Sequence, residues 1–432
     1  MKKSLTGILL LAAIVVVVSS FQKEKHCVYR TLMNEDPVEV KPILVNQNEI
    51  HQSVQKGLEW LQKAQHENGG WGCGSHQFQK ERNPLAVPPD PATTAIVSMA
   101  LLRSGSTLTD GPYHRELSKA TNYLFKVLKN CIPNAQNITE LKNTQIQRKL
   151  GQNIDVVLTT QYLTNLMSSL SANDPKRKEI EKYLNLSVEK IQLAQNEDGS
   201  LKGGTWAGVL QSSFANSALE SAQTLGIEMD EVKLQNSKKY QQGNYDLKTE
   251  EVSTSAGAGI LLYSLSSTSR ASAKEAKAAR SSIERAIQND LLSKDEKVNT
   301  KNLVIAGLDE EEAMELNASY QIYEASKVKA QRDDVQKGFG NNGGEEFLSF
   351  LQTGEALILG QDDSWANWYD NVSQRLLDIQ NNDGSWNGHH CITSPVFCTA
   401  TCISILTIQN DIDMLKGIGD EEKRSEEMRN GH

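Results

Sequence analysis

One seven-residue string occurs three times, and it constrains the fold more than any other feature. It reads Gln65-His66-Glu67-Asn68-Gly69-Gly70-Trp71, then Gln195-Asn196-Glu197-Asp198-Gly199-Ser200-Leu201, then Gln380-Asn381-Asn382-Asp383-Gly384-Ser385-Trp386. Before each copy, apolar residues fall three and four apart: Val54, Gly57, Leu58 and Leu61 before the first; Ile180, Tyr183, Leu184, Val188 and Ile191 before the second; Trp368, Val372, Leu376 and Ile379 before the third. That spacing gives each segment one buried helical stripe. Asn, Asp and Gly then end the helix and turn the chain. A second kind of helix follows, rich in Ala, Ser, Thr and Leu on nearly all sides: 92–102, 208–225 and 395–408. Such a helix is expected to be packed from several directions. The copies lie 130 and 185 residues apart, which fits three and four units of about 45 residues. Between them, 256–264 and 345–359 read as further inner helices and 271–287 as an outer one. Strand signals are sparse, so the sequence predicts an all-α chain of six or seven helical hairpins from about residue 48 to 410. Hairpins of this kind cannot bury their faces alone and must stack.

A chain of 432 residues would ordinarily suggest about three domains, but a repeat architecture overrides that division. With 38% hydrophobic and 23% charged residues, the composition excludes a bundle of membrane spans and a disordered chain. The net charge is −9 with no long basic run, which excludes a nucleic-acid partner. At the N-terminus Lys2 and Lys3 precede an unbroken apolar run, 7–18, and polar residues follow at once. This is the build of a secretory signal, 1–20, with Val18 and Ser20 flanking a cleavage point before Phe21; an uncleaved N-terminal membrane anchor is the alternative, and either exports the rest. The mature chain is expected to have no membrane span. Residues 21–47 read as a linker or arm and 411–432 as a charged tail. Export makes disulfides available to the six cysteines, Cys27, Cys73, Cys131, Cys391, Cys398 and Cys402.

The turns resemble the QW-type repeats of the squalene-cyclase and protein-prenyltransferase superfamily over most of 50–410, most clearly at Gln65–Trp71 and Gln380–Trp386. The stretch Gly338–Leu406 is also similar to a group of uncharacterised exported bacterial toroid proteins. The resemblance implies a single α/α toroid, with inner helices around a central cavity. It implies a structural role for Gln65, Trp71, Gln380 and Trp386, with Gln capping backbone groups and Trp filling the gap between outer helices. In function it implies an isoprenoid or another apolar ligand bound or acted on in that cavity, or a non-catalytic binding or scaffold toroid of the envelope.

The chemistries of that superfamily can be tested against the residues. Cyclisation of the class II type needs an Asp-x-Asp-Asp acid; Asp411-Ile412-Asp413-Met414 lacks the last aspartate, and the run 309–312 reads as an acidic helix start. Aromatics that would stabilise carbocations are missing from 92–102, and 208–225 carries Phe214 alone. The prenyltransferase zinc site uses Asp, Cys and His; here Cys398 stands where the resemblance would place the histidine, and Glu345 and Glu346 lie where Asp-x-Cys would be. The thioester motif is absent, because Cys73 and Gln77 are four apart rather than three. No G-x-S-x-G, H-E-x-x-H or P-loop is present.

One constellation remains. Cys73 and His76 follow the first turn, and His389, His390 and Cys391 follow the last. If the ring closes, these segments meet on one rim, with Cys398, Glu345 and Glu346 near inner-helix starts beside them. Three readings stay open: a Cys73–Cys391 disulfide that latches the ring, a transition-metal site, zinc being the natural occupant, and unpaired structural thiols. Cys402, one turn beyond Cys398, reads as core packing.

Overall fold

The computed structural model describes residues 47–340 and 342–411. The expected signal segment, the linker up to residue 46 with Cys27 in it, and the tail from 412 onward lie outside the described residues. The described residues form helices and turns with no strand.

Six helices with little polar–apolar asymmetry make the inner layer: α2 (Pro91–Arg103), α5 (Ile154–Ser168), α7 (Gly208–Thr224), the first half of α9 (Leu261–Gln288), α13 (Gly344–Leu359) and α15 (Pro395–Leu406). Each packs on the next, and α15 returns to pack on α2, so the layer is a closed ring. Outside it, α1 (Gln47–Lys63) packs on α15, α3 (His114–Asn130) on α2, α6 (Lys176–Leu193) on α5, α8 (Glu231–Gln242) on α7, α11 (Glu310–Ala330) on α9 and α14 (Trp365–Asp378) on α13. Short helices α4 (Gln145–Lys149), α10 (Thr300–Ile305) and α12 (Asp333–Gln336) lie in the connections. This is the α/α toroid that the resemblance implied, with six inner helices from the hairpins that the repeats predicted.

Local chemistry sets the inner-helix starts. Asp90 caps α2, its Oδ1 accepting from the Thr93 amide at 2.8 Å ahead of Pro91 at the first helical position. Ser394 caps α15 in the same way, again followed by proline. Glu346 folds back to accept from the Gly343 amide at 3.0 Å at the start of α13.

The repeated turns build the ring joint by joint. Gln65 Nε2 donates to Gly69 O in its own turn and to Glu116 O in α3, both at 2.9 Å. Gln195 does the same to Gly199 O (3.3 Å) and Lys233 O in α8 (2.7 Å). Gln380 donates to Gly384 O (2.8 Å) and to Ser53 O in α1 (2.9 Å), joining the last repeat to the first. Trp71 and Trp386 are fully buried, and each indole N–H donates at 2.8 Å to a carbonyl ten residues back, Leu61 and Leu376. The turn glycine has φ near +90° in all three copies, Gly69, Gly199 and Gly384. A Cβ at Gly69 would sit 2.4 Å from Lys119 O of the neighbouring helix, so the glycine serves both the turn and the approach.

One expectation needs correction. The segments 256–264 and 271–287 are not separate inner and outer helices; α9 runs unbroken from Leu261 to Gln288. Neither Gly nor Pro interrupts it, and its surroundings change midway. Ser264, Ser266, Ser267, Thr268 and Ser269 are buried in the ring, while beyond it burial narrows to a stripe of Ala276, Ala279, Ser282, Ile283 and Ala286. Ala279 and Ile283 there meet Leu303 and Ala313 in a small satellite core. The ring's interior also carries bridging polar side chains. Gln352 of α13 donates to Ser213 Oγ of α7 at 2.9 Å and accepts from Ser267 of α9 at 3.4 Å, bridging three inner helices.

Where the inner helices end, charges of alternating sign cross the ring. Asp411 accepts from Arg103 at 3.0 Å, Arg103 reaches Glu355 at 3.2 Å, and Arg270 lies 3.6 Å from Glu355 and 3.5 Å from Glu220. Lys238 lies 3.6 Å from Glu220 and also pairs with Glu275. Asp411, at the start of the charged tail in sequence, is fully buried by this chain of pairs.

Candidate functional site at the N-terminal rim

The inner helices begin at the opposite rim, and the sequence-predicted residues gather there. The loops after the first and last turns meet through Gln79, whose Nε2 lies 3.0 Å from His76 Nδ1 and donates to Cys391 O at 2.5 Å. Thr393 Oγ1 donates to Gln79 O at 2.6 Å, and Arg82 Nη1 to Thr393 O at 3.2 Å. Gln145 Oε1 accepts from the Thr393 amide at 2.8 Å and the Ser394 amide at 3.1 Å. Ring closure on this rim is thus a hydrogen-bonded seam centred on two glutamines.

The thiols take no part in that seam. Cys73 and Cys391 are free, as are Cys398 and Cys402, so the expected Cys73–Cys391 bridge is not formed in this structure. Burial pushes the Cys73 thiol well up, with Asp90 adding to it. Burial, and then Glu345, push Cys391 up to about 12, although Lys149 beside it pulls the other way. Cys398 is raised by the same two causes. Burial thus disfavours the thiolate form of these sulfurs. Among the described residues no three His, Cys, Asp or Glu side chains converge as a metal would need, so the residues present do not fit the zinc expectation.

Beside the seam, Glu345 and Glu346 start α13 and are fully buried. Glu346 is saturated: Oε1 accepts from Tyr263 Oη at 2.6 Å and from the Phe339 amide at 2.9 Å, and Oε2 accepts from the Gly343 amide. Glu345 Oε2 accepts from the Ile392 amide at 3.2 Å, whereas Oε1 has no hydrogen-bond partner. Burial first, and the Glu346 charge second, push the Glu345 carboxyl up to about 8, so it is protonated at neutral pH. His390 lies 3.9 Å from Glu346, and neither ring nitrogen is hydrogen-bonded. His389 is exposed, and its backbone amide donates to Asn342 O at 2.7 Å.

Four residues that sequence reasoning missed complete the rim. Tyr263 is one. Phe339 packs edge-on to His390 with centroids 5.2 Å apart, Trp206 packs edge-on to Phe339 at 5.6 Å, and Lys149 Nζ stands 4.9 Å over the Trp206 ring. Trp206 and Phe339 stay 38% and 49% exposed, so this is an aromatic surface over a buried acid, flanked by a cation. Lys149 ends α4, whose start is a capping box of Thr144 and Gln147. That box was legible as Thr-x-x-Gln. Trp206 lies five residues past the second repeated turn, as His76 lies five past the first, and that equivalence was also available in the sequence. His76, near Lys149 and Arg148, is shifted down by burial and then by those two cations.

No family model and no curated protein matches the chain. Among solved structures it is similar to the apo form of the type II terpene cyclase MstE from Scytonema, at 11% identity and a TM-score of 0.42, covering 84% of this chain and 99% of that one. A variant of that cyclase in complex with geranylgeranyl dihydroxybenzoate is 13% identical with a TM-score of 0.41, covering 85% and 98%. A wild-type glycosidase is 10% identical with a TM-score of 0.32, again covering 85% and 98%. The toroid assignment itself stands on the closed ring of inner helices.

Proposed function

We propose that this chain is an exported binding toroid that takes an amphiphilic ligand at its N-terminal rim, with an isoprenoid phosphate as the representative chemistry. The observation that carries the reading is the exposed stack of Trp206, Phe339 and His390 with Lys149 above Trp206. Exposed aromatic faces accept an apolar chain, and Lys149, with Arg148 beside it in sequence, offers cations to an anionic head. Binding is favoured over turnover because the acids cannot reach a ligand: Glu346 is saturated and Glu345 is buried. The rim is favoured over the ring's centre because the interior is bridged by Gln352 and closed at its far end by paired charges. Export rests on the N-terminal segment alone.

Calorimetric titration with geranylgeranyl phosphate tests it. Aromatic anchors carry a large share of binding energy, so Phe339→Ser should weaken binding by about tenfold or more, equivalent to about 1.4 kcal/mol. Lys149→Gln should weaken the phosphate but not geranylgeraniol. The helical circular dichroism of both variants should match the parent. No binding by the parent, or binding indifferent to both substitutions, overturns the proposal.

A further inference from the structure

A cleft of about 700 Å³ lies between α3 and the loop that follows it, within the range of small-molecule sites. Its floor is apolar, made by Val127 and the buried Ile138, with the Tyr123 ring beside them. Its walls carry Asn68, Asn122, Asn130 and Asn137. The side-chain amides of Asn122, Asn130 and Asn137 make no hydrogen bond among the described residues, and Asn68 uses only Oδ1, for the Gly70 amide at 3.0 Å.

The cleft is built rather than incidental. Lys190, 1% exposed, donates to three carbonyls of the loop: Ile132 at 2.7 Å, Pro133 at 2.9 Å and Ala135 at 2.8 Å. Tyr123 Oη donates to Pro89 O at 3.1 Å, which fixes its ring. Both walls are therefore held before any ligand arrives, which lowers the cost of binding.

We propose that this cleft binds a neutral saccharide. A carboxamide both donates and accepts, as a sugar hydroxyl does, so four amides can pair with neighbouring hydroxyls. The C–H face of a pyranose matches the Val127, Ile138 and Tyr123 floor. An anionic ligand fits less well, because Lys126 is the cation of the lining and Glu140 offsets it. A purely apolar ligand would strip water from the four amides without replacing their hydrogen bonds.

Saturation-transfer NMR with cellobiose and N,N′-diacetylchitobiose at millimolar concentration tests the assignment. At least one disaccharide should receive saturation from the parent protein. The signal should vanish in Val127→Trp, which fills the floor, and in the Asn122→Ala/Asn137→Ala double variant, which leaves the floor intact. The double variant alters surface side chains only, so it keeps the test valid if Val127→Trp does not fold. Silence from both sugars overturns the proposal, and so does a signal that survives the double variant.

Discussion

Glu345 shows how far one buried carboxyl can set the behaviour of the rim. It binds its proton more tightly in the folded chain, where its value is about 8, than at the ordinary 4.5. The folded state therefore loses stability as the pH rises from about 4.5 to about 8. Asp155, pushed up to about 7 by burial and then by Asp90, contributes in the same direction. Glu345→Gln keeps the acceptor for the Ile392 amide but cannot ionise. Thermal unfolding should thus show the variant gaining on the parent as pH rises from about 5.5 to about 8.5, by several degrees. Parallel pH profiles for the two proteins would show that Glu345 is ionised in the fold. The sequence placed Glu345, Glu346, His390, Cys391, Cys73 and His76 on one rim, because each lies beside a repeat turn or an inner-helix start. The capping box before Lys149 and the register of Trp206 were legible one at a time, but only folding brings the two together with Phe339 and Tyr263. The thiol chemistry was illegible for another reason: it depends on burial and on neighbouring carboxylates, neither of which cysteine spacing reports.

At the scale of elements, the repeated turn and the charge chain work at opposite ends of the inner helices. The Gln–Gly–Trp turn was legible because its physics is local: a side chain reaching its own turn, a glycine at positive φ, an indole donating ten residues back. Helix α9 was misread for the converse reason. Its sequence carries an outer-helix stripe, but no turn residue separates that stripe from the inner half. The charge chain was overlooked, although single charges such as Glu220, Arg270 and Glu355 inside small-residue helices were a usable signal. Glu355 stands between Arg103 and Arg270 with both guanidiniums nearly fully buried. Removing one member of a buried pair costs about 3–5 kcal/mol. Glu355→Gln should accordingly lower the stability measured by urea unfolding by that order, whereas Arg332→Gln, whose partner Asp334 shares its exposed surface, should leave it unchanged. A loss under about 1 kcal/mol at Glu355 would mean that the chain of pairs orders the ring without stabilising it.

For the whole molecule, closure is what turns a string of hairpins into a site. Gln380 reaching Ser53 joins the outer layer, and Gln79 with Gln145 joins the rim. Repetition made the stack of hairpins readable from the sequence, since such hairpins cannot bury their faces alone, while the closed ring was what the resemblance implied. What fills the ring was not readable, because small polar residues suit either a lined cavity or a bridged core. The Gln352 bridge and the charge chain speak for a bridged core, which is why the proposed ligand site lies outside, on Trp206 and Phe339. A crystal structure grown with geranylgeranyl phosphate tests this most directly. Density for the isoprenoid chain is expected across the Trp206 and Phe339 rings, with the phosphate toward Lys149. Density instead among the inner helices, with the Gln352 bridge displaced, would contradict a ligand site on the rim.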